Sequence, residues 1–400
     1  MAVSNKIERF ITQASWIRKM FEDGIRLKAR YGADKVYDFT LGNPNVEPPP
    51  EFHRLLREMA ERDIPGKHGY MPNAGYMETR KAVADYVSRE HNLPLTAEHV
   101  VMTCGAGGAL NVIFKTLLDP GDEVVIPKPF FVEYQFYVDN HNGIPRLVGT
   151  GRDFSLDFDR LGEAITEKTK AVLINSPNNP TGKVYDQKSI DGLAALLMEK
   201  QKRFGREIYL VSDEPYSQIV YDGVAVPSVL KAYPNSLIAT SHSKNISIPG
   251  ERIGHIAVHP GLAGVEKVME GLILSNRILG FVNAPALMQR IVAKLQGVVV
   301  DLDVYRRKRD MLCKGLSSLG YRFEEPKGAF YLFPESPIED DVAFVRILQK
   351  SYVLTVPGTG FGGPGHFRIA YCVDDAAITN AMNGFSEAMK EARGLAKRES

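Results

Sequence analysis

Short runs of apolar residues, each followed by a polar or glycine-rich turn, recur along the middle of the chain. They fall at Val100–Thr103, Glu123–Ile126, Arg146–Val148, Ala171–Ile174, Ile208–Val211, Leu237–Thr240 and His255–Val258. Between several of them the apolar spacing becomes helical. The clearest such stretch runs from Asp186 to Phe204, where Ile190, Leu193, Leu196 and Leu197 share one face. Strands that read as continuous apolar runs and alternate with helices predict a mostly parallel sheet covered on both sides. The expectation is an α/β fold with a seven-stranded sheet in a large domain. Ligands of such sheets bind beyond the carboxyl ends of the strands, so the turns that follow the runs should hold the site.

The ends of the chain have a different texture. A helix is predicted from about Ser15 to Tyr31, with Trp16, Ile17, Met20, Phe21 and Ile25 on one apolar face, followed by the strand-like Val36–Leu41 and a break at Pro48–Pro50. Beyond Pro285 the pattern predicts a helix over Val304–Leu319, a strand over Ala329–Phe333 and a helix over Asp341–Lys350. The run Val353–Pro357, a strand at Phe367–Tyr371 and a terminal helix from Asp375 follow, with Lys390–Ser400 as its frayed, solvated end. This is the pattern of a smaller α+β domain. The expected division is an N-terminal segment, 1–49, contributing to the small domain, a large domain, 50–285, and a small C-terminal domain, 286–400.

Composition narrows the partners. Four hundred residues exceed the size of one ordinary core. With 49 basic and 48 acidic residues the net charge is +1, so no overall field draws the chain to nucleic acid or membrane. Cys104, Cys313 and Cys372 form no C-x-x-C pair, which argues against structural zinc or a disulfide framework and fits a reducing cytoplasm. No apolar signal core or membrane span is evident, and no metal is expected.

Candidate chemistry concentrates in the predicted turns. After Leu237–Thr240 comes Ser241-His-Ser-Lys-Asn-Ile-Ser-Ile-Pro-Gly-Glu-Arg-Ile-Gly254. Ser241, Ser243 and Arg252 can together neutralise and hydrogen-bond a phosphate. A lysine near another cation loses basicity, which frees the amine needed to attack a carbonyl, so Lys244 is a candidate nucleophile. An isolated S-x-S-K is more often a polar surface loop. The turn Cys104–Leu110 is rich in glycine, is expected to open a helix at about Ala109, and offers backbone N–H groups to an anion. Phe130 and Phe131 could stack on a flat ligand or pack the core, and Phe131 is the better candidate for stacking. Asn179, in Asn175–Gly182, could donate an amide hydrogen bond or serve only the turn. Asp213 and Tyr216 place a carboxylate and a phenol at the mouth of the sheet, although such an aspartate often caps a helix. Each signal is weak alone; five turns of one sheet offering complementary groups are not.

In these residues the chain resembles the fold-type I, pyridoxal-phosphate-dependent aminotransferases of the aspartate and aromatic group. The marks are Asn179-Pro-Thr-Gly182, Asp213-x-x-Tyr216, and Ser241-x-Ser-Lys244 with Arg252-x-Gly254. The resemblance spans nearly the whole chain, from Leu41-Gly-Asn-Pro44 to Phe367-Arg-Ile-Ala370. It implies that Lys244 carries pyridoxal 5'-phosphate (PLP) as a Schiff base and moves the proton. Asp213 would hold the pyridine nitrogen protonated, Asn179 and Tyr216 would hydrogen-bond the ring oxygen, and Phe131 would stack on the ring, where many relatives carry Trp or Tyr. The phosphate would lie on the backbone of Ala106 and Gly107 with Ser241, Ser243 and Arg252. Relatives often place a hydroxyl residue in that turn; here it has only Gly and Ala. Tyr70 matches a tyrosine that reaches the phosphate of a neighbouring subunit, which implies a homodimer with shared sites. Arg368 and Gly42 match the residues against the substrate α-carboxylate.

The resemblance implies transamination between an L-amino acid and a 2-oxo acid. Aspartate or glutamate is the expected substrate, with Arg277 as the candidate second cation across the dimer, although a surface role suits Arg277 equally. The same scaffold supports C–S and β-eliminating lyases. A non-catalytic sensor domain is a third reading, but such domains follow a helix-turn-helix, and no basic recognition helix precedes Gly42.

Overall fold

The computed structural model describes residues 2–13 and 16–399. Seven strands form the central sheet: β2 (Val100–Thr103), β3 (Glu123–Lys128), β4 (Ile144–Gly149), β5 (Thr169–Asn175), β6 (Tyr209–Asp213), β7 (Ser236–Ser241) and β8 (Gly254–Val258), in the order β2-β8-β7-β6-β5-β3-β4. The seven expected runs all become strands. Pairing is parallel except at β8, which is antiparallel to both β2 and β7. That exception is set by chain length: twelve residues separate β7 from β8, too few for the helical crossover that a parallel neighbour needs. The strand β4 starts earlier than its apolar run, and Ile144 and Leu147 are exposed, as its edge position permits.

Two apolar layers sandwich the sheet. One holds Ile113, Phe114 and Leu272 with Val124 and Val211, while the other holds Ile190, Leu193 and Leu197 with Val125 and Leu210. Alternate residues of one strand thus enter opposite layers, so every strand position in the middle of the sheet must be apolar. Helix Gln187–Phe204 begins where the sequence suggests because Asp186 caps it, accepting from the Ser189 N–H at 2.8 Å. Helix Ala286–Val292 belongs to this unit: Met288, Ile291 and Val292 pack with Phe52 and Leu55.

A smaller α+β unit is built from both ends of the chain. Strand β1 (Tyr37–Asp38) pairs in parallel with β10 (Val353–Leu354), and β9 (Tyr331–Leu332), β11 (Val356–Pro357) and β12 (Phe367–Ala370) form an antiparallel sheet in the order β11-β12-β9. Helices Leu302–Leu319, Asp341–Lys350 and Asp375–Glu399 cover it, and Met20 and Phe39 from the N-terminal part join Phe344, Phe367 and Phe385 in its core. Two expectations need correction here. Helix Trp16–Tyr31 buries Met20 but leaves Ile25 exposed, because five residues advance the helix well past the buried face; Ser15 and the side chains of Trp16, Ile17 and Phe21 lie outside the described residues. The expected strand Ala329–Phe333 pairs over Tyr331–Leu332 alone, since Ala329 has φ 57 and breaks the extended run. No helix among the described residues is long and apolar enough to cross a membrane.

Candidate active site

The loop joining β7 to β8 carries the lysine. Because those strands are antiparallel, with Ser241 opposite Gly254, the loop closes on itself and returns Arg252 to the neighbourhood of Ser241 and Ser243. Ser241 Oγ and Ser243 Oγ are hydrogen-bonded at 3.1 Å. Arg252 donates to the carbonyl of Pro249 at 3.0 Å, and its guanidinium lies against Gly105. A Cβ on Gly105 would come within 2.7 Å of the Arg252 Nη2, and the φ of +72° there already favours glycine.

The helix after β2 begins at Gly105, not at Ala109 as expected. Glycine is a poor helix former, yet tertiary packing overrides the propensity here. The earlier start places Ala106 and Gly107 in the first turn, where backbone N–H groups lack helical partners and Cys104 supplies no side-chain cap. Those donors, Ser241, Ser243 and Arg252 face one end of a cavity of 340 Å³. Together they could hold a phosphate.

In the same cavity Lys244 Nζ donates to the carbonyl of Gly42 at 2.8 Å. A Cβ on Gly42 would lie 1.9 Å from the Tyr331 hydroxyl, so the chain can pass here only as glycine. Burial lowers the pKa of Lys244 to about 8, and the cations Arg252 and Arg368 push the same way. The expected direction is therefore right, but desolvation outweighs the neighbouring charge. With a pKa near 8 the neutral amine is still a minority at pH 7, about a tenth, but far more abundant than for an ordinary lysine. The rate at which the cofactor-free protein takes up PLP should rise with pH and level off above about pH 8; a rise that continues towards pH 10 would show an ordinary surface amine.

Asp213 ends β6 and is 5 % exposed. Its Oδ2 accepts from the Tyr134 hydroxyl at 2.5 Å, while Oδ1 is buried with no partner. Burial pushes this carboxyl up to about 7, against the lowering effect of the Tyr134 hydrogen bond. An unpaired buried carboxyl oxygen calls for a cationic donor, and a protonated pyridine nitrogen is such a group. Phe131 lines the cavity nearby and packs partly against the core cluster in which Phe130 is buried.

At the other end, Arg368 on β12 donates through Nη1 to Asn179 Oδ1 at 3.0 Å and through Nη2 to the Thr40 carbonyl. Its Nε is buried and unpartnered. The fork is thus fixed in place with a donor to spare, which suits a carboxylate. Tyr216 shares a 2.8 Å hydrogen bond with Tyr331.

These residues therefore converge from both units, and they fit PLP. Bound there, PLP supplies an electron sink for charge developing at the substrate α-carbon. The residues that would hold it are Lys244 through its amine, Asp213 at the ring nitrogen, Phe131 against the ring face, and Ser241, Ser243, Arg252 and the Ala106–Gly107 backbone at the phosphate. Two candidates do not reach the cavity of their own chain: Tyr70 is 92 % exposed, and Arg277 is exposed near the end of helix Val265–Ile278. Conversely, Glu133, Tyr134, Tyr137 and Tyr331 line the cavity without having been singled out. Tyr134 is three residues past Phe131, and only the fold reveals that its hydroxyl reaches Asp213.

Comparisons with known proteins agree with this geometry. The sequence pattern of the family described as aminotransferase class I and II matches residues 34–385. The aspartate/prephenate aminotransferase of Thermus thermophilus is 34% identical over 91% of this chain and 93% of its own length. Among solved structures, an amino transferase from Eubacterium rectale superposes with a TM-score of 0.95 at 38% identity, covering 98% of this chain and 99% of that one. The Thermus thermophilus aspartate aminotransferase with maleate gives 0.86 at 28% identity, over 97% and 100%. The sheet, the lysine loop and the family match over most of the chain lead to one conclusion: the chain belongs to the aminotransferases of class I and II, enzymes that use PLP to move an amino group between amino acids and 2-oxo acids.

Proposed function

We propose that Lys244 is the amine that holds PLP, that Arg368 and the Gly42 backbone receive the substrate α-carboxylate, and that one of the exchanged amino acids is dicarboxylic, aspartate or glutamate. The observation that carries the amino-acid part is the anchored Arg368 with its unpartnered buried Nε, facing the same cavity as Lys244. Lys244, poised near neutrality, takes the proton from the α-carbon and returns it to the cofactor side, while Asn179 and Tyr216 hydrogen-bond the ring oxygen. The dicarboxylic part is supported by the names of relatives, aspartate aminotransferases among them, and by the maleate in the Thermus thermophilus structure.

The working unit in this reading is a homodimer in the cytoplasm. Tyr70 and Arg277 are exposed on their own chain, where a second subunit could use them, Tyr70 on the phosphate and Arg277 on the distal carboxylate. All three cysteines are free, in keeping with a reducing compartment. The domain division at residues 49 and 285 is part of the same proposal, although the packing of Met288 to Leu295 with the large unit favours a second boundary nearer Val300.

Arg277→Ala tests the dicarboxylic role. Loss of a charge-assisted contact of about 1.5–3 kcal/mol should raise the KM for aspartate about tenfold to a hundredfold and leave kcat/KM for an uncharged amino acid nearly unchanged. Equal turnover of aspartate by wild type and variant would remove Arg277 from the site.

A further inference from the structure

Five charged side chains line the cavity: Glu133, Asp213, Lys244, Arg252 and Arg368. Four have an assigned counterpart in the reading above, Arg252 in the phosphate, Lys244 and Asp213 in the cofactor, and Arg368 in the α-carboxylate. Glu133 has none. It begins helix Glu133–Asp139, two residues beyond Phe131, and its Oε2 is buried without a hydrogen-bond partner. Its charge is felt by Arg368 and Tyr331, the residues beside the proposed α-carboxylate site, and also by Tyr137, which lies against Gly107.

We propose that Glu133 reads the substrate side chain, and that the second amino acid exchanged by this enzyme ends in a cation, a terminal ammonium or guanidinium. The inference rests on the aminotransferase site proposed above and extends it to the partner of the dicarboxylic substrate. A carboxylate oxygen left without a partner in a pocket, as Oε2 is here while the group takes one hydrogen bond from its own backbone N–H, is costly, and a ligand cation removes that cost. Arg368 cannot be the lasting partner, because the substrate α-carboxylate takes its free donor. Burial raises the pKa of Glu133, so the same group can accept a proton and hydrogen-bond a carboxylate when the dicarboxylic substrate occupies the pocket. One side chain then serves both substrates of an exchange reaction.

The test follows the first half-reaction, conversion of the PLP-loaded enzyme to its pyridoxamine form with release of a 2-oxo acid, by absorbance with one amino acid at a time. L-ornithine and L-norvaline differ by the terminal amino group. Wild type should convert L-ornithine at least about tenfold faster than L-norvaline at low concentration, and Glu133→Gln should abolish most of that preference while changing the L-norvaline rate less than about threefold. Absence of the preference in wild type, or its survival in Glu133→Gln, would overturn the proposal. A uniform loss with all amino acids would also overturn it, since that marks a structural role. Failure of L-glutamate and L-aspartate alongside success of L-ornithine would sink the dicarboxylic reading and leave Glu133 in place.

Discussion

Lys244→Ala is expected to lose amino-group transfer by about 10⁴-fold or more, and to bind PLP without a covalent link. Two functions leave with one side chain. The amine that attacks the cofactor carbonyl is gone, and so is the general base, a role that alone accounts for about 10²- to 10⁴-fold. The fold should survive, because the lysine enters the cavity and makes a single hydrogen bond, to Gly42. Thermal unfolding within about 1 kcal/mol of wild type, alongside absent turnover, is the predicted pair of results. Near wild-type turnover would remove Lys244 from the chemistry.

Asp213→Ala should be almost as damaging, by a different route. Its buried, unpaired Oδ1 is suited to keep the ring nitrogen protonated. Removing one member of a buried charge pair costs about 3–5 kcal/mol, which is about 10²- to 10⁴-fold in rate if it falls on the transition state. Asp213→Asn keeps the shape and the Tyr134 contact but not the charge, so its rate should fall nearly as far. A variant that retains PLP and loses only affinity for the amino acid would contradict this assignment.

Much of the sheet and half of the site chemistry can be read from the sequence because both follow from the same periodicity. Apolar runs mark strands buried on both faces, and the residues just beyond Ile174, Val211 and Thr240 are delivered to one edge of the sheet. Less legible are residues whose role depends on a second element arriving from far along the chain. Tyr331 is an aromatic within an apolar run and meets Tyr216 only when β9 docks, 115 residues away. Tyr134 and Glu133 sit in a short helix whose direction no local pattern reveals. The start of the helix at Gly105 was hidden for the opposite reason, since local propensity argues against it and only packing against Arg252 and β8 enforces it.

The proposed chemistry depends first on Lys244 as the covalent holder of the cofactor. Borohydride reduction of the PLP-loaded enzyme, followed by proteolysis and mass spectrometry, would fix the cofactor to whichever residue carries it. The prediction is a pyridoxyl group on the peptide containing Lys244, absent after prior conversion with an amino acid. A label on another lysine, or a protein that loads PLP and transfers amino groups with Lys244 unlabelled, would contradict it.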